Sequence, residues 1–327
     1  MSGVKPEISL GARPPRRLYK YRAFSDRTLS MLISDELYFA DPSTFNDPLD
    51  TKPTVVPDLN PDQLERILQD LVQRRVRAEM TAAAKTLRYS GLKTIAHIDE
   101  KAVRQAAALI AEAKYEATNP DFDGVDGHTL ILANYIQSEL LRRYERGIVS
   151  LGERATCPLM WSHYGDQHRG VCIGYSVPGG IEGSLLKVKY GGDRAVRTSL
   201  VESMLQDNPE AGGNLDAAVL GVKARSWSYE REWRLIDKRG VRDSSLELEE
   251  IIFGIRCQVD VKFAVARALL DRKRPIKLYE MIAMPGTFHL RKVRLETDEM
   301  FAMLPRRARD ILDDFEDLDL DVGTGRA

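Results

Sequence analysis

Cysteine is scarce in this chain of 327 residues: there are three, Cys157, Cys172 and Cys257. An odd number at wide spacing, without a Cys-x-x-Cys pair, speaks against a disulfide framework and against a cysteine-based zinc site. Small buried thiols in a reducing compartment are the expectation. No run of about 18 apolar residues occurs, so no transmembrane helix is expected. The opening Met1–Pro6 has no apolar stretch of the kind a secretory signal requires. Neither charge sign dominates: the net charge is -1 and the pI about 6.6, where a general polyanion binder would carry a basic excess. From these absences the expectation is a cytoplasmic protein with no membrane attachment, no general nucleic-acid binding and no metal.

What is present is an ordinary globular composition, 43% apolar and 30% charged, in a chain long enough for one large domain or two ordinary ones. Residues 1–15 read as a flexible leader rich in Pro, Gly and Arg. Residues 16–57 and 151–300 carry strand and turn signals and form an α/β core. Alternation of apolar and cationic side chains predicts a strand over 17–24, followed by a helix over 27–34 and a strand over 37–40. Between the two core segments, 58–150 read as a helical insertion. Asn60-Pro61 is a helix start with Asn as cap and Pro as first helical residue. Leu64, Ile67, Leu68, Leu71, Val72 and Val76 then keep helical spacing. Further helices are predicted over 100–117 and 128–146, with no strand signal in the block. Strands are predicted at 170–177, 185–190, 232–236, 249–254, 277–283 and 289–295, and helices at 199–206, 214–223 and 261–271. Residues 301–327 form an acidic tail. The expected fold class is α+β, with a mixed, mainly antiparallel sheet and a helical insertion.

Three polar motifs stand out. In Phe45-Asn46-Asp47-Pro48 and Asp50, Asn and Asp suit a turn closed by their own side chains, or a loop that touches a ligand. In the segment from Trp161 to Gly170, His163, Tyr164 and His168 gather just before a strand. The two histidines are five apart, out of phase for one helix face, so each reads as a structural imidazole or as a ligand or acid–base group. The third motif is Trp227-Ser228-Tyr229-Glu230-Arg231-Glu232-Trp233-Arg234. In an extended chain Glu230 and Glu232 share a face. Like charges so close raise one pKa, which suits a base or an electrostatic stabiliser. The aromatic rings could wall a pocket for a flat ligand. A charged, solvated strand face is the plainer alternative.

Leu18-Tyr19-Lys20-Tyr21-Arg22, Phe45-Asn46-Asp47-Pro48, Trp161-Ser162-His163-Tyr164 with His168-Arg169-Gly170, and Tyr229 to Arg234 occur in that order. Together they resemble the signature of the bacterial family known as domain of unknown function 2971, over roughly 16–290 without most of the helical block. That resemblance brings no activity. A second one does: Glu230-Arg231-Glu232 is similar to the Glu-x-Glu strand entry of ADP-ribosyltransferases. It implies an ADP-ribosyltransferase-like sheet, NAD as substrate, and a role in bacterial toxicity or phage defence. Glu232 would stabilise an oxocarbenium-like transition state, with Glu230 and His163 as further catalytic groups. Arg22 would grip the NAD phosphates, a bidentate task that suits a guanidinium. Tyr19, Asn46, Asp47, Tyr164, His168, Trp227 and Tyr229 complete the expected binding set. The middle Ser/Thr or Tyr element has no clean match, with Tyr175-Ser176 or Ser43-Thr44 as stand-ins. The ligand class is a small molecule or nucleotide, and the macromolecular acceptor is left open. Two alternatives stay open on the residues: a metal-dependent nuclease or hydrolase using Asp47, Asp50, His163, His168, Glu230 and Glu232, and a ligand-sensing module without turnover.

Overall fold

The seven strand pairings of an eight-stranded sheet and the packing beneath them follow from short apolar runs broken by turn residues, as a computed structural model of the chain shows. It describes residues 13–119, 126–143 and 146–306. Most of the expected leader and acidic tail therefore lies outside the described residues. In chain order the elements are β1 (Arg17–Arg22), α1 (Asp26–Ser34), β2 (Glu36–Phe39), β3 (Thr54–Val56), α2 (Pro61–Thr86), α3 (Leu92–Glu116) and α4 (Gly127–Arg143). They continue with β4 (Arg146–Gly152), α5 (Pro158–Tyr164), β5 (Val171–Ser176), β6 (Leu185–Lys187), β7 (Lys189–Tyr190), β8 (Ala195–Arg197), α6 (Thr198–Leu205) and α7 (Pro209–Leu220). The last are β9 (Val222–Lys223), β10 (Glu232–Lys238), β11 (Gly240–Asp243), β12 (Glu247–Phe253), α8 (Val259–Ala268), β13 (Lys277–Ala283), β14 (Leu290–Arg294) and α9 (Asp298–Met303).

The main sheet runs β14-β13-β12-β5-β1-β4-β10-β6. Only the β12–β13 pair is parallel, and α8 makes that crossover, as a parallel connection requires. The protein is thus α+β with a mainly antiparallel sheet. Period-two alternation divides β10 cleanly. Trp233 and Leu235 enter the core with Val149, Leu151 and Phe253, while Glu232, Arg234 and Ile236 face the opposite side.

The helical block begins as its sequence indicates. Asn60 caps α2 through its side chain, with a reciprocal bond from Gln63 and Pro61 in the first turn. Leu64, Ile67, Leu68, Leu71, Val72 and Val76 are all buried. The block is not separate from the rest, because its core also takes in Leu186, Val196, Val201, Leu215 and Ile236. Two expectations need correction. The helix expected over 128–146 ends at Arg143, and Arg146–Gly152 forms β4, a central strand, inside a block read as free of strands. The helix expected over 214–223 stops at Leu220, where Gly221 caps it. Lys223 is thereby released into β9, paired with β7.

One gap in the sheet positions everything that follows. β10 pairs with β4 along its whole length, from Glu232–Gly152 to Lys238–Arg146. β1 pairs with β4 at Tyr19–Gly152 and then continues along β5 up to Arg22–Val171. The space where β1 leaves β4 is roofed by the loop that follows β2. At the far end of β1, Gly170 lies so close that an added Cβ would stand 2.1 Å from the Arg22 carbonyl oxygen. Gly170→Ala should therefore cost about 1–3 kcal/mol through backbone displacement. Thermal unfolding should show a midpoint lower by about 2–4 °C per kcal/mol, whereas an unchanged midpoint would contradict the packing at this crossing.

Candidate functional site

The gap beside β4 opens into a cavity of about 310 Å³. Its wall includes Tyr19, Lys20 and Tyr21 of β1, Thr44, Phe45, Asn46 and Asp50 of the β2–β3 loop, Ser150–Gly152 of β4, Tyr164 of α5, Lys223, Glu230 and Glu232. The loop is held in shape by its own side chains. Asp41 accepts from the Ser43 amide at 2.9 Å, and Asp47 Oδ1 from the Leu49 amide at 2.9 Å. The other Asp47 oxygen accepts from the indole N–H of Trp227 at 2.8 Å. This bond ties the loop to the turn that carries Glu230.

Glu230 and Glu232 do not meet by strand alternation. Arg225–Glu230 is a run of 3-10 turns, ended by Arg231 in the left-handed region (φ 47°), and β10 begins only at Glu232. The sharp turn returns Glu230 to the face that Glu232 occupies, and both carboxylates reach Lys223. The Lys223 ammonium lies 2.6 Å from Glu230 Oε2, 3.1 Å from Glu232 Oε2 and 3.6 Å from Asp50 Oδ2. Behind it stands Arg234, with no exposed surface. Its Nε donates to Glu232 Oε1 at 3.0 Å, its Nη2 to Asp50 at 2.7 and 2.8 Å, and its Nη1 to the Leu220 carbonyl at 2.7 Å. That carbonyl ends α7, where the helix dipole favours a cation. The backbone N–H of Glu232 donates to Tyr190 Oη at 2.7 Å. Tyr164 Oη donates to Glu230 Oε1 at 2.7 Å and accepts a long 3.4 Å bond from Asn46.

Three carboxylates and two cations are thus buried together, leaving one net negative charge. Their surroundings separate the two glutamates. Burial would raise the pKa of Glu232, but Arg234 and Lys223, with Ser150, outweigh it and hold the value at about 2. Burial of Glu230 prevails over the Lys223 attraction, Glu232 repels a second charge, and its pKa is raised. Lys20, half-buried in the same wall, donates to the Ser150 carbonyl at 3.0 Å. Burial and Arg22 pull its pKa down to about 8, against the opposing pull of Glu232 and Glu230.

Of the residues singled out by sequence, Tyr19, Asn46, Tyr164, Glu230 and Glu232 line one cavity. Asp47 and Trp227 brace it through their mutual bond. His163, Trp227 and Tyr229 make an aromatic group beside it, with ring centres 6.1–6.4 Å apart; His163 itself is exposed. Arg22 and His168 are not part of the lining. Arg22 points past the gap toward α1, its Nη1 3.1 Å from Met31 Sδ. The β1 cation that lines the cavity is Lys20, two residues earlier. His168 sits in a left-handed loop with Asp166 and Gln167, its ring stacked on Trp161 at 6.2 Å. Its carbonyl accepts from the Arg256 amide. Among the described residues, no group of three His, Cys, Asp or Glu side chains is arranged to hold a metal ion; a lysine ammonium stands where the three carboxylates converge. Sequence reasoning passed over Lys20, Lys223 and Arg234 as site residues. The readable signal for Arg234 was a cation between Trp233 and Leu235 inside an apolar strand.

An α+β protein with an internally paired acidic cavity is what fold and site define. A model of the family described as Protein of unknown function (DUF2971) matches residues 160–235. The family resemblance holds over this segment, which runs from within α5 into β10 and contains Tyr164, Lys223, Glu230, Glu232 and Arg234. No curated protein and no solved structure matches the chain. Among the described residues, no helix is long and apolar enough to cross a membrane.

Removing one partner from such a cluster leaves uncompensated buried charge, at a cost of about 3–5 kcal/mol. Lys223→Met should show that loss in denaturant unfolding at pH 7. The loss should shrink toward pH 4, because protonating Glu230 removes one of the charges Lys223 balanced. A pH-independent difference would contradict the three-carboxylate geometry. In the wild type the depressed Glu232 contributes stability that is complete above its unfolded pKa of about 4.3. That contribution disappears as the pH falls toward about 2. Acid unfolding should therefore steepen in this window, and Glu232→Gln should flatten it.

Proposed function

We propose that the cavity cleaves a glycosidic bond in a small nucleotide, with NAD as the substrate and ADP-ribosyl transfer or NAD hydrolysis as the reaction. One observation carries this reading: two neighbouring carboxylates of opposite pKa displacement face one small cavity. Pairs pushed apart in this way divide acid–base and electrostatic work between them.

Breaking the bond between the ribose C1′ and the nicotinamide nitrogen sends the bonding electrons to that nitrogen and builds positive charge on the sugar. The buried cluster, one unit negative and fixed in position, opposes that charge without reorganising, an effect worth a few kcal/mol in a dry site. Glu232 is the permanently ionised member. Glu230, with the greater proton affinity, takes the proton from the water or acceptor hydroxyl that attacks C1′. Tyr19 and Tyr164 offer ring surface, Asn46 offers an amide at the rim, and Lys20 offers the cation for a phosphate. The fit to the transferase pattern is by chemistry rather than position, since Lys20 takes the task expected of Arg22. A role in toxicity or phage defence is part of the same reading and rests on the ADP-ribosyltransferase resemblance alone.

The test is nicotinamide release from NAD, with and without cell lysate as a source of acceptors. Wild type should release nicotinamide. Glu230→Gln, which keeps the bond from Tyr164, should lower kcat by about 10²–10⁴-fold with little change in KM. Binding of NAD without turnover would assign the cavity to a ligand-sensing module. Neither binding nor turnover would reject NAD as the substrate.

A further inference from the structure

A second cavity, of about 210 Å³, shares Asp50 and Lys223 with the first as wall residues. The rest of its lining comes from the short β7–β9 pair and the turns that follow it. Lys189 and Tyr190 run parallel to Val222 and Lys223, and the Gly191 amide donates to the Lys223 carbonyl at 2.9 Å. The chain then turns through two residues in the left-handed region, Gly191 (φ 76°) and Gly192 (φ 94°), a conformation that glycine adopts without strain. The stem of Arg225 lies against Gly191, where an added Cβ would stand 3.7 Å from the arginine Cβ. At Gly192 an added Cβ would meet nothing within 4 Å, so the backbone there borders open space. Among the described residues the N–H groups of Gly192, Asp193 and Arg194 have no hydrogen-bond acceptor. Successive N–H groups left without partners in a turn make a concave anion site.

The charges in this lining favour the same occupant. Arg225 is exposed and, among the described residues, makes neither an ion pair nor a side-chain hydrogen bond. Arg194 donates to two backbone carbonyls, of Lys52 at 3.1 Å and Leu49 at 3.4 Å, and has no carboxylate partner among the described residues. The two acidic residues in the wall are already engaged. Asp50 faces Arg234 and Lys223, and Asp47 accepts from the Leu49 amide and the Trp227 indole. Two guanidinium groups without a carboxylate, beside unpartnered amides, suit an anion with several oxygens that accept paired N–H bonds.

We infer that the second cavity is a phosphate subsite, in which Arg194, Arg225 and the amides of Gly192, Asp193 and Arg194 hold a phosphoryl group of the ligand whose sugar occupies the first cavity. That the ligand is a nucleotide rests on the reading proposed above; the subsite rests on the groups that line it. Lys20 belongs to the wall of the first cavity and not of the second, so a diphosphate that reaches both is held at two points.

Isothermal titration calorimetry of the full-length protein at constant ionic strength tests this, with inorganic pyrophosphate and ADP-ribose as probes. Each should bind at one site, ADP-ribose the more tightly because its sugars add contacts. Arg225→Glu removes a side chain that has no partner to lose, so it should fold like wild type by circular dichroism while weakening both probes at least tenfold. Arg104→Gln, which removes an equal charge from exposed α3, should leave both affinities unchanged. In NAD turnover Arg225→Glu should raise KM at least tenfold with kcat little altered. Binding of neither probe, or equal binding by wild type and Arg225→Glu, would overturn the subsite. Pyrophosphate binding as tightly as ADP-ribose would overturn its link to a nucleotide and leave a site for free phosphate. NAD cleavage with an unchanged KM in Arg225→Glu would reject the subsite and keep the proposed reaction. Probe binding that Arg225→Glu abolishes, without NAD cleavage by wild type, would keep the subsite and reject the reaction.

Discussion

A guanidinium taken wholly out of water must find acceptors to replace its hydration shell, because an unpaired buried charge costs several kcal/mol. Arg234 meets that demand with Asp50, Glu232 and the last carbonyl of α7. These three partners come from the β2–β3 loop, the start of β10 and the end of a helix. Satisfying one side chain therefore fixes the relative placement of three parts of the chain. Lys223 extends the constraint to the turn carrying Glu230. Networks of this kind add little net stability, since desolvation offsets attraction. Their effect here is positional, and the cavity is the space they leave beside β4.

The same arrangement separates the proton affinities of the two glutamates. Glu232 is saturated by two cations and is an anchor of fixed charge. Glu230 receives only Lys223 and Tyr164 and stays responsive to protons. The sequence resemblance gave Glu232 the charge-stabilising part and Glu230 a helping one, and the proposed division of work between them rests on their opposite pKa displacements.

Much of the fold was legible because it depends on local periodicity and capping. The Asn60-Pro61 start of α2 and the apolar face from Leu64 to Val76 were readable as they stand. The strand at Arg146–Gly152 was not, because it directly follows a helix and its short Ile148-Val149 run is equally at home in one. Glu230 and Glu232 were placed together for a different reason from the real one: strand alternation was expected, and a left-handed residue at Arg231 achieves it. Tyr19, Asn46, Tyr164 and Glu232 come from four separate motifs and line one cavity. Lys20 and Lys223 were hidden, since a lysine in sequence carries no mark of whether its charge is solvated or enclosed. Arg22 lies outside the cavity lining, beside Met31, because spacing along β1 does not reveal where that strand parts from β4.

The most direct measurement is a carboxyl-carbon NMR titration of the glutamate-labelled protein, with Glu230→Gln and Glu232→Gln assigning the two signals. The buried cluster predicts that Glu232 remains ionised to about pH 2, while Glu230 titrates above the ordinary glutamate range. Two signals titrating together near about 4.3, as solvated glutamates do, would contradict the account.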